Sequence, residues 1–174
     1  DKIKDEDVKN VFNSVQFTTQ SLNLLSNQIL DYSKNELQKP TLNLTNFLLD
    51  EQLSKLILSL ETLVLENGNK LIYQNGITEN FRVYSDKTKI HQLLYNLVGN
   101  SNKFTKDGII TITSSIKKID ANLFNLIISV QDNGSGIPEK ILPHVFDQYY
   151  QGNTIDNINN LGVGLGLNLC KELV

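Results

Sequence analysis

The chain has 174 residues, 40% of them hydrophobic, enough to bury one core with an extra element beside it. A formal net charge of -3 and a pI near 5.4 leave no basic footprint of the kind that nucleic-acid binders carry, so no nucleic-acid partner is expected. The single Cys170 rules out an intramolecular disulfide framework and fits a reducing compartment, while the charged start DKIKDEDVK is no signal peptide and a chain without Met is expected to be a stretch of something longer.

In chain order, Val8, Val11, Val15, Leu22, Leu25, Ile29 and Tyr32 fall on a heptad, with Thr18 filling one slot. Such a seam wants a partner helix. Pro40 closes the pattern, because the residue before a proline is pushed toward extended geometry. Residues 5–39 are therefore predicted as one long helix, packed on a second copy, on another part of the protein or on its own domain. Leu42 and Leu44 alternate with polar neighbours like a short strand, and Asn46 is a candidate cap for a helix over Phe47–Glu66. The density of Leu in that helix predicts burial on more than one side, and Asn67-Gly68 is a common stop signal. Two strand candidates follow, residues 70–74 and 81–85, separated by the turn-prone Asn75-Gly76.

The stretch from Asp86 to Thr105 is the centre of the chain. Ile90, Leu93, Leu94, Leu97, Val98 and Ser101 recur at the spacing of a helix with one buried stripe, behind the helix-start carboxylate of Asp86. About 100° per residue puts Asn96, Asn100 and Lys103 together on a bordering strip. An Asn carbonyl is a neutral oxygen ligand for Mg²⁺, which is usually shared with substrate phosphates. A Lys one turn on could neutralise a phosphate oxygen. With 22 Asn in the chain, chance alone could place two on one flank.

Next, residues 108–118 and 123–132 read as a β-hairpin in the middle of a sheet, turned at Asp120-Ala121-Asn122. Phe124, Leu126, Ile128 and Val130 share a face, and the period of two brings Asp132 to the same side. A carboxylate there can accept a hydrogen bond from an exocyclic amine such as that of adenine. In DNGSGIP (132–138) Gly134 and Gly136 let a ligand approach the backbone, and Pro138 fixes the next segment. PHVFDQYY (143–150) is an aromatic cluster, and the polar, Asn-rich residues 151–160 read as a lid loop. Gly162, Gly164 and Gly166 then precede a helical pattern, where exposed N–H groups and the helix dipole suit phosphate. The position is wrong for a dinucleotide fold, and the Gly-Lys-Ser/Thr of a P-loop is absent.

The runs NLVGNSNKFT, DNGSGIP, PHVFDQYYQ and GVGLGL, in that order, resemble the N box, first glycine box, F box and second glycine box of sensor histidine kinases. SLNLLSNQILDYSKNEL resembles the second helix of their dimerisation and phosphotransfer domain. The resemblance implies an α+β two-layer sandwich, with helices on one face of a mixed, mostly antiparallel sheet, preceded by a long helix. Residues 1–40 would be the partial dimerisation/phosphotransfer domain, and 41–174 the ATP-binding catalytic domain, truncated before its last strands.

By motif match, Asn100 is the expected Mg²⁺ ligand, Lys103 touches phosphate and Asp132 holds the adenine amino group. Asn96 and Lys103 are the expected catalytic positions. Gly134, Gly136, Ile137, Gly162, Gly164, Leu165 and Gly166 would shape the nucleotide site, with Phe146 and Tyr149 closing over it. In the gyrase, mismatch-repair and heat-shock chaperone branch a Glu one turn before the Mg²⁺-binding Asn activates water. Asn96 stands there and cannot serve as a base, so phosphoryl transfer to a histidine is favoured over hydrolysis.

The implied partners are a response regulator or a fused receiver domain, which Gln151 favours, and a second copy through residues 5–39. The implied setting is cytoplasmic, with a membrane anchor possible through a sensor region upstream. Three departures stand against this. The phosphoacceptor His-acidic motif is absent, His91 and His144 being expected in core or surface roles. The lid lacks Arg and Lys. The chain also stops at Val174, where the family continues. They keep open a degenerate scaffold of the same fold without catalysis.

Overall fold

The computed structural model describes residues 42–150, 164 and 166–174. The helix expected over residues 5–39 and the loop 151–160 lie outside the described residues. In order, the elements are β1 (Thr45–Leu48), α1 (Leu49–Leu65), β2 (Lys70–Asn75), β3 (Arg82–Ser85), α2 (Lys87–Phe104), β4 (Ile109–Lys118), β5 (Phe124–Asp132), a 3₁₀ turn at Leu142–His144 and α3 (Gly166–Leu173).

Leu49, Leu53, Leu56, Ile57, Leu60, Leu63 and Val64 form one stripe of α1, and all are buried. Each such side chain contributes about 1.5–3 kcal/mol by leaving water. Burial on more than one side does not occur: Leu58 is 68% and Leu65 67% exposed, because the surplus leucines fall outside the stripe. The helix also begins later than expected. Phe47 and Leu48 belong to β1, and Asn46 is a strand residue facing Tyr84 rather than a cap. The first helical N–H, of Leu49, instead donates to Phe81 O at 2.9 Å, while Asp50 and Glu51 meet the positive end of the dipole. The other end stops as signalled, with Gly68 at φ 71° and its N–H bonded to Leu65 O.

α2 starts where Asp86 predicts. Its carboxylate accepts from Thr88 N–H at 2.9 Å and Lys89 N–H at 3.2 Å. The same side chain accepts from Asn43 N–H at 2.8 Å, tying the entry of β1 to the start of the helix.

The strands form two sheets. β1 and β3 pair antiparallel, and β2, β4 and β5 lie in that spatial order. β2 and β4 are parallel, with β3 and α2 forming the crossover that parallel pairing requires. The Asn75-Gly76 turn therefore does not fold β2 onto β3: Gly76 N–H is held by Ser114 O at 2.8 Å, and Asn75 Oδ1 accepts from Ile77 N–H. β4 and β5 make the expected hairpin, closed by Asp120 Oδ1 accepting from Asn122 and Leu123 N–H.

Ile110, Ile112 and Ser114 of β4 are buried on the inner face, while Thr111 and Thr113 stay half-exposed on the outer one. The arrangement is the two-layer α+β one with a mixed, mostly antiparallel sheet. Among the described residues β5 is an edge strand rather than the middle of a sheet, so its inward row Leu126, Ile128 and Val130 is only half-buried. Phe124 turns to Phe81, edge to face at 5.2 Å. Among the described residues no helix is long and apolar enough to cross a membrane.

Candidate functional site

Asp132 ends β5 on the inner face, in register with Ile110. Its Oδ1 accepts from Gly134 N–H at 3.0 Å, and no hydrogen bond among the described residues engages its other oxygen. The loop it starts is fastened on two sides. Asn133 Oδ1 accepts from Ile109 N–H at 2.7 Å, and Ser135 N–H donates to Phe104 O, the end of α2, at 3.1 Å. Gly134 lies so close to α2 that an added Cβ would overlap Phe104 O. Gly136 is the opposite case, with φ 70° and nothing within 4 Å of where a Cβ would stand, and Ile137 beside it is 52% exposed. A rigid carboxylate thus borders an open backbone face.

The second wall is α2 under the start of α3. A Cβ on Gly166 would be 3.5 Å from Asn96 Oδ1 and 3.9 Å from Asn100 Nδ2, so α3 begins directly over the two amides. Asn96 is 8% exposed and packed beneath α3, rather than lining an open border as the helical wheel suggested. Cys170, one turn further along α3, reaches Leu93 O at 4.0 Å. Burial pushes its thiol up to about 11, against the opposing hydrogen bond with Asn96. Asn100 and Lys103 are half-buried. Lys103 Nζ lies 5.1 Å from the centre of the Phe104 ring, and burial lowers its pKa below the usual ammonium value.

The aromatic segment is not core. Phe146, Tyr149 and Tyr150 are 44%, 54% and 37% exposed. One bond holds this segment to α3 and another to the residue leading toward it: Asn168 Nδ2 donates to Phe146 O at 3.1 Å, and Tyr149 N–H donates to Gly164 O at 3.1 Å. Tyr149 has φ 59° and Gly164 φ 74°, and a Cβ on Gly164 would stand 2.9 Å from Tyr149 C. Only glycine fits there. Gly162 and Leu165 lie outside the described residues. His144 is exposed and paired with Asp147 at 2.8 Å, and His91 is half-buried against Gln52 at 2.7 Å, which are surface and packing roles.

No group of three His, Cys, Asp or Glu among the described residues could hold a metal ion. One amide on α2 beneath a glycine helix start does fit Mg²⁺, which takes most of its ligands from water and phosphate. Sequence reasoning missed the residues that hold this frame: Asn69, Asn102 and Asn133. Nothing local marks them, since each acts on a partner remote in sequence.

The family model of histidine kinase-, DNA gyrase B- and HSP90-like ATPases matches residues 85–174. Among curated proteins, the hybrid signal transduction protein dokA of Dictyostelium discoideum is 34% identical over 163 residues, 92% of this chain and 10% of that protein. The autoinducer 2 sensor kinase/phosphatase LuxQ of Vibrio parahaemolyticus is 27% identical over 175 residues, all of this chain and 20% of that protein. The chain thus spans a tenth to a fifth of the length of these relatives.

Among solved structures, the catalytic domain of histidine kinase ThkA is 27% identical with a TM-score of 0.60, over 76% of this chain and 80% of that one. ThkA in complex with response regulator protein TrrA matches at 25% identity and a TM-score of 0.62, over 99% of this chain and 46% of that one. The chain belongs to the histidine kinase-, DNA gyrase B- and HSP90-like ATPase family, as an ATP-binding catalytic domain of the sensor histidine kinase type.

Proposed function

We propose that this chain binds Mg-ATP and transfers its γ-phosphoryl group to a histidine carried on another segment. The observation that carries this reading is the meeting of three features at one end of the fold: the half-engaged carboxylate of Asp132, the α2 face with Asn100 and Lys103, and the glycine start of α3. Asp132 accepts the adenine amine, and Gly136 and Ile137 leave the adjoining face open to the base. Asn100 is the protein's ligand to Mg²⁺, and Lys103 neutralises phosphate oxygens. Gly164 and Gly166 admit the phosphates to the backbone of α3, with Gly162 and Leu165 completing that box, while Phe146 and Tyr149 cover the nucleotide. When bound, Mg²⁺ supplies charge neutralisation between phosphate oxygens.

Asn96 holds α3 in place and offers no base, so the site orients an in-line transfer rather than activating water. In the same reading, residues 1–40 belong to the dimerisation and phosphotransfer domain, and the chain pairs with a second copy through residues 5–39. A response regulator or fused receiver domain takes the phosphoryl group in the cytoplasm.

The test is calorimetric titration with a non-hydrolysable ATP analogue, with and without Mg²⁺, on the parent, Asp132→Asn and Asn100→Ala. Asp132→Asn is expected to weaken binding by about tenfold or more, the value of one hydrogen bond to a charged group. Asn100→Ala is expected to remove the strengthening by Mg²⁺ and leave the metal-free affinity unchanged. A parent that neither releases heat nor displaces a fluorescent nucleotide would make the chain a scaffold of this fold.

A further inference from the structure

Two buried amides join the ends of α1 and α2. Asn69, just after α1, is 1% exposed, and Asn102, in the last turn of α2, is 5% exposed. Asn69 Nδ2 donates to Asn102 Oδ1 and to Thr105 O, both at 2.8 Å, and Asn69 Oδ1 accepts from Gly108 N–H at 2.8 Å. Asn102 Nδ2 donates to Leu63 O at 3.0 Å, and Asn67 Nδ2 caps the cluster from outside by donating to Asn102 O at 3.1 Å. The last turn of α1, the last turn of α2 and the lead into β4 are thereby joined at one point.

Only one of these bonds joins the two side chains; the others made by the pair satisfy the backbone groups Thr105 C=O, Leu63 C=O and Gly108 N–H, which apolar replacements would leave unpaired, so the amides stabilise the junction. Amides add direction. An apolar contact lets a helix slide or turn by a fraction of an ångström, whereas this set of bonds fixes the axial position and rotation of α2 at its end. Lys103 is the next residue along, and Asn100 lies two before. The bonding continues to the other wall: Gly108 leads into Ile109, whose N–H is held by Asn133 Oδ1 at 2.7 Å, and Asn133 follows Asp132.

We propose that Asn69 and Asn102 are positioning residues of the nucleotide site, setting the phosphate-facing end of α2 against the adenine-facing carboxylate of Asp132. The inference rests on the nucleotide reading above and adds to it Asn69, outside the four boxes, and Asn102, a position of the N-box run given no role there. The pair touches no nucleotide. It acts by holding Asn100, Lys103 and Asp132 in one frame, where a shift near 1 Å is costly.

The test compares the 174-residue parent with Asn69→Leu/Asn102→Leu, Asn102→Ser and Leu53→Ala. Leu53 is buried at the far end of α1 and serves as the control for stability alone. Each is titrated with the Mg²⁺ complex of a non-hydrolysable ATP analogue well below its melting temperature, and the amide resonances of Gly134 and Ser135 are recorded without nucleotide. The two asparagine variants are expected to bind about tenfold more weakly, the usual cost of losing a group that orients a ligand, and to shift both resonances. Leu53→Ala is expected to melt earlier yet keep its affinity within twofold and its resonances in place.

If the double variant does not fold, Asn102→Ser carries the comparison. Parent-like affinity in the asparagine variants, or an equal loss in Leu53→Ala, overturns the inference and leaves the nucleotide reading standing. A parent that binds no nucleotide overturns that reading, and the inference with it.

Discussion

Asp86 joins three backbone donors to one carboxylate, and its ionisation follows from that. Burial alone would raise its pKa, but the N–H groups of Asn43, Lys89 and Thr88, with the charge of Lys89, outweigh burial and hold it below the ordinary 3.8. A depressed pKa means the folded state releases this proton more readily than the unfolded one. The stabilisation is therefore complete above the ordinary carboxylate value and is lost as pH falls through the folded one. Asp86→Ala is expected to cost about 1–3 kcal/mol at pH 7 by urea unfolding, and the gap from the parent should close as pH is stepped below 3.8. Gly134 and Gly136 give a second contrast. Gly134→Ala would force the loop off Phe104 O, costing about 1–3 kcal/mol and most of the nucleotide affinity, whereas Gly136→Ala meets open space and carries only the roughly 1 kcal/mol of a left-handed backbone. Calorimetric binding and thermal melting of the two variants check the order. Asp86 and Asp132 were legible in the sequence because a carboxylate at the end of an apolar pattern is uncommon. Asn69, Asn102 and Asn133 were not, being three of 22 asparagines whose partners lie 24 to 39 positions away.

At the scale of elements, the local signals were sound and the pairings were not visible. The periodicities of α1, α2, β4 and β5 follow from side chains within a few positions, so each is readable from its own segment. The partners of β2 and β3 are set by register with strands remote in sequence, Lys70 with Ile109 and Arg82 with Leu48, and a turn-prone dipeptide between β2 and β3 carries no information about that. The same limit hid the burial of Asn96, since the helical wheel of α2 does not show that α3 will cover the strip. The packing of α3 makes a chemical prediction. Burial pushes the Cys170 pKa up to about 11, so the group is held as the unreactive thiol near neutral pH and is shielded besides. Alkylation by iodoacetamide, followed by mass spectrometry, is expected to be at least a hundredfold slower in the native chain than in urea, limited by the opening of α3. Nucleotide should slow it further, because Gly166 at the start of the same helix borders Asn96 and Asn100. A native rate equal to that in urea would mean that α3 is not docked on α2.

For the whole molecule, the proposed site draws on segments that are far apart in the chain, and this decides how a ligand should affect folding. Asp132 is the last residue of β5, Asn100 and Lys103 lie on α2, and Gly166 opens α3. None of these has the right neighbours in the unfolded chain, so a nucleotide that contacts all three binds the native state almost exclusively. Free ligand at a hundred times its dissociation constant then adds about 2.7 kcal/mol to stability. For a unit of this size that is a rise in Tm of roughly 10 °C. Asp132→Asn should lose most of this rise at the same ligand concentration while its own ligand-free Tm stays close to the parent's, because only Oδ1 of Asp132 is engaged by a hydrogen bond among the described residues. A triphosphate analogue with Mg²⁺ should raise Tm more than adenosine does, since adenosine reaches the carboxylate but not the α2 face. Equal shifts from the two would place the binding energy on the base alone, and would remove Asn100, Lys103 and the start of α3 from the site.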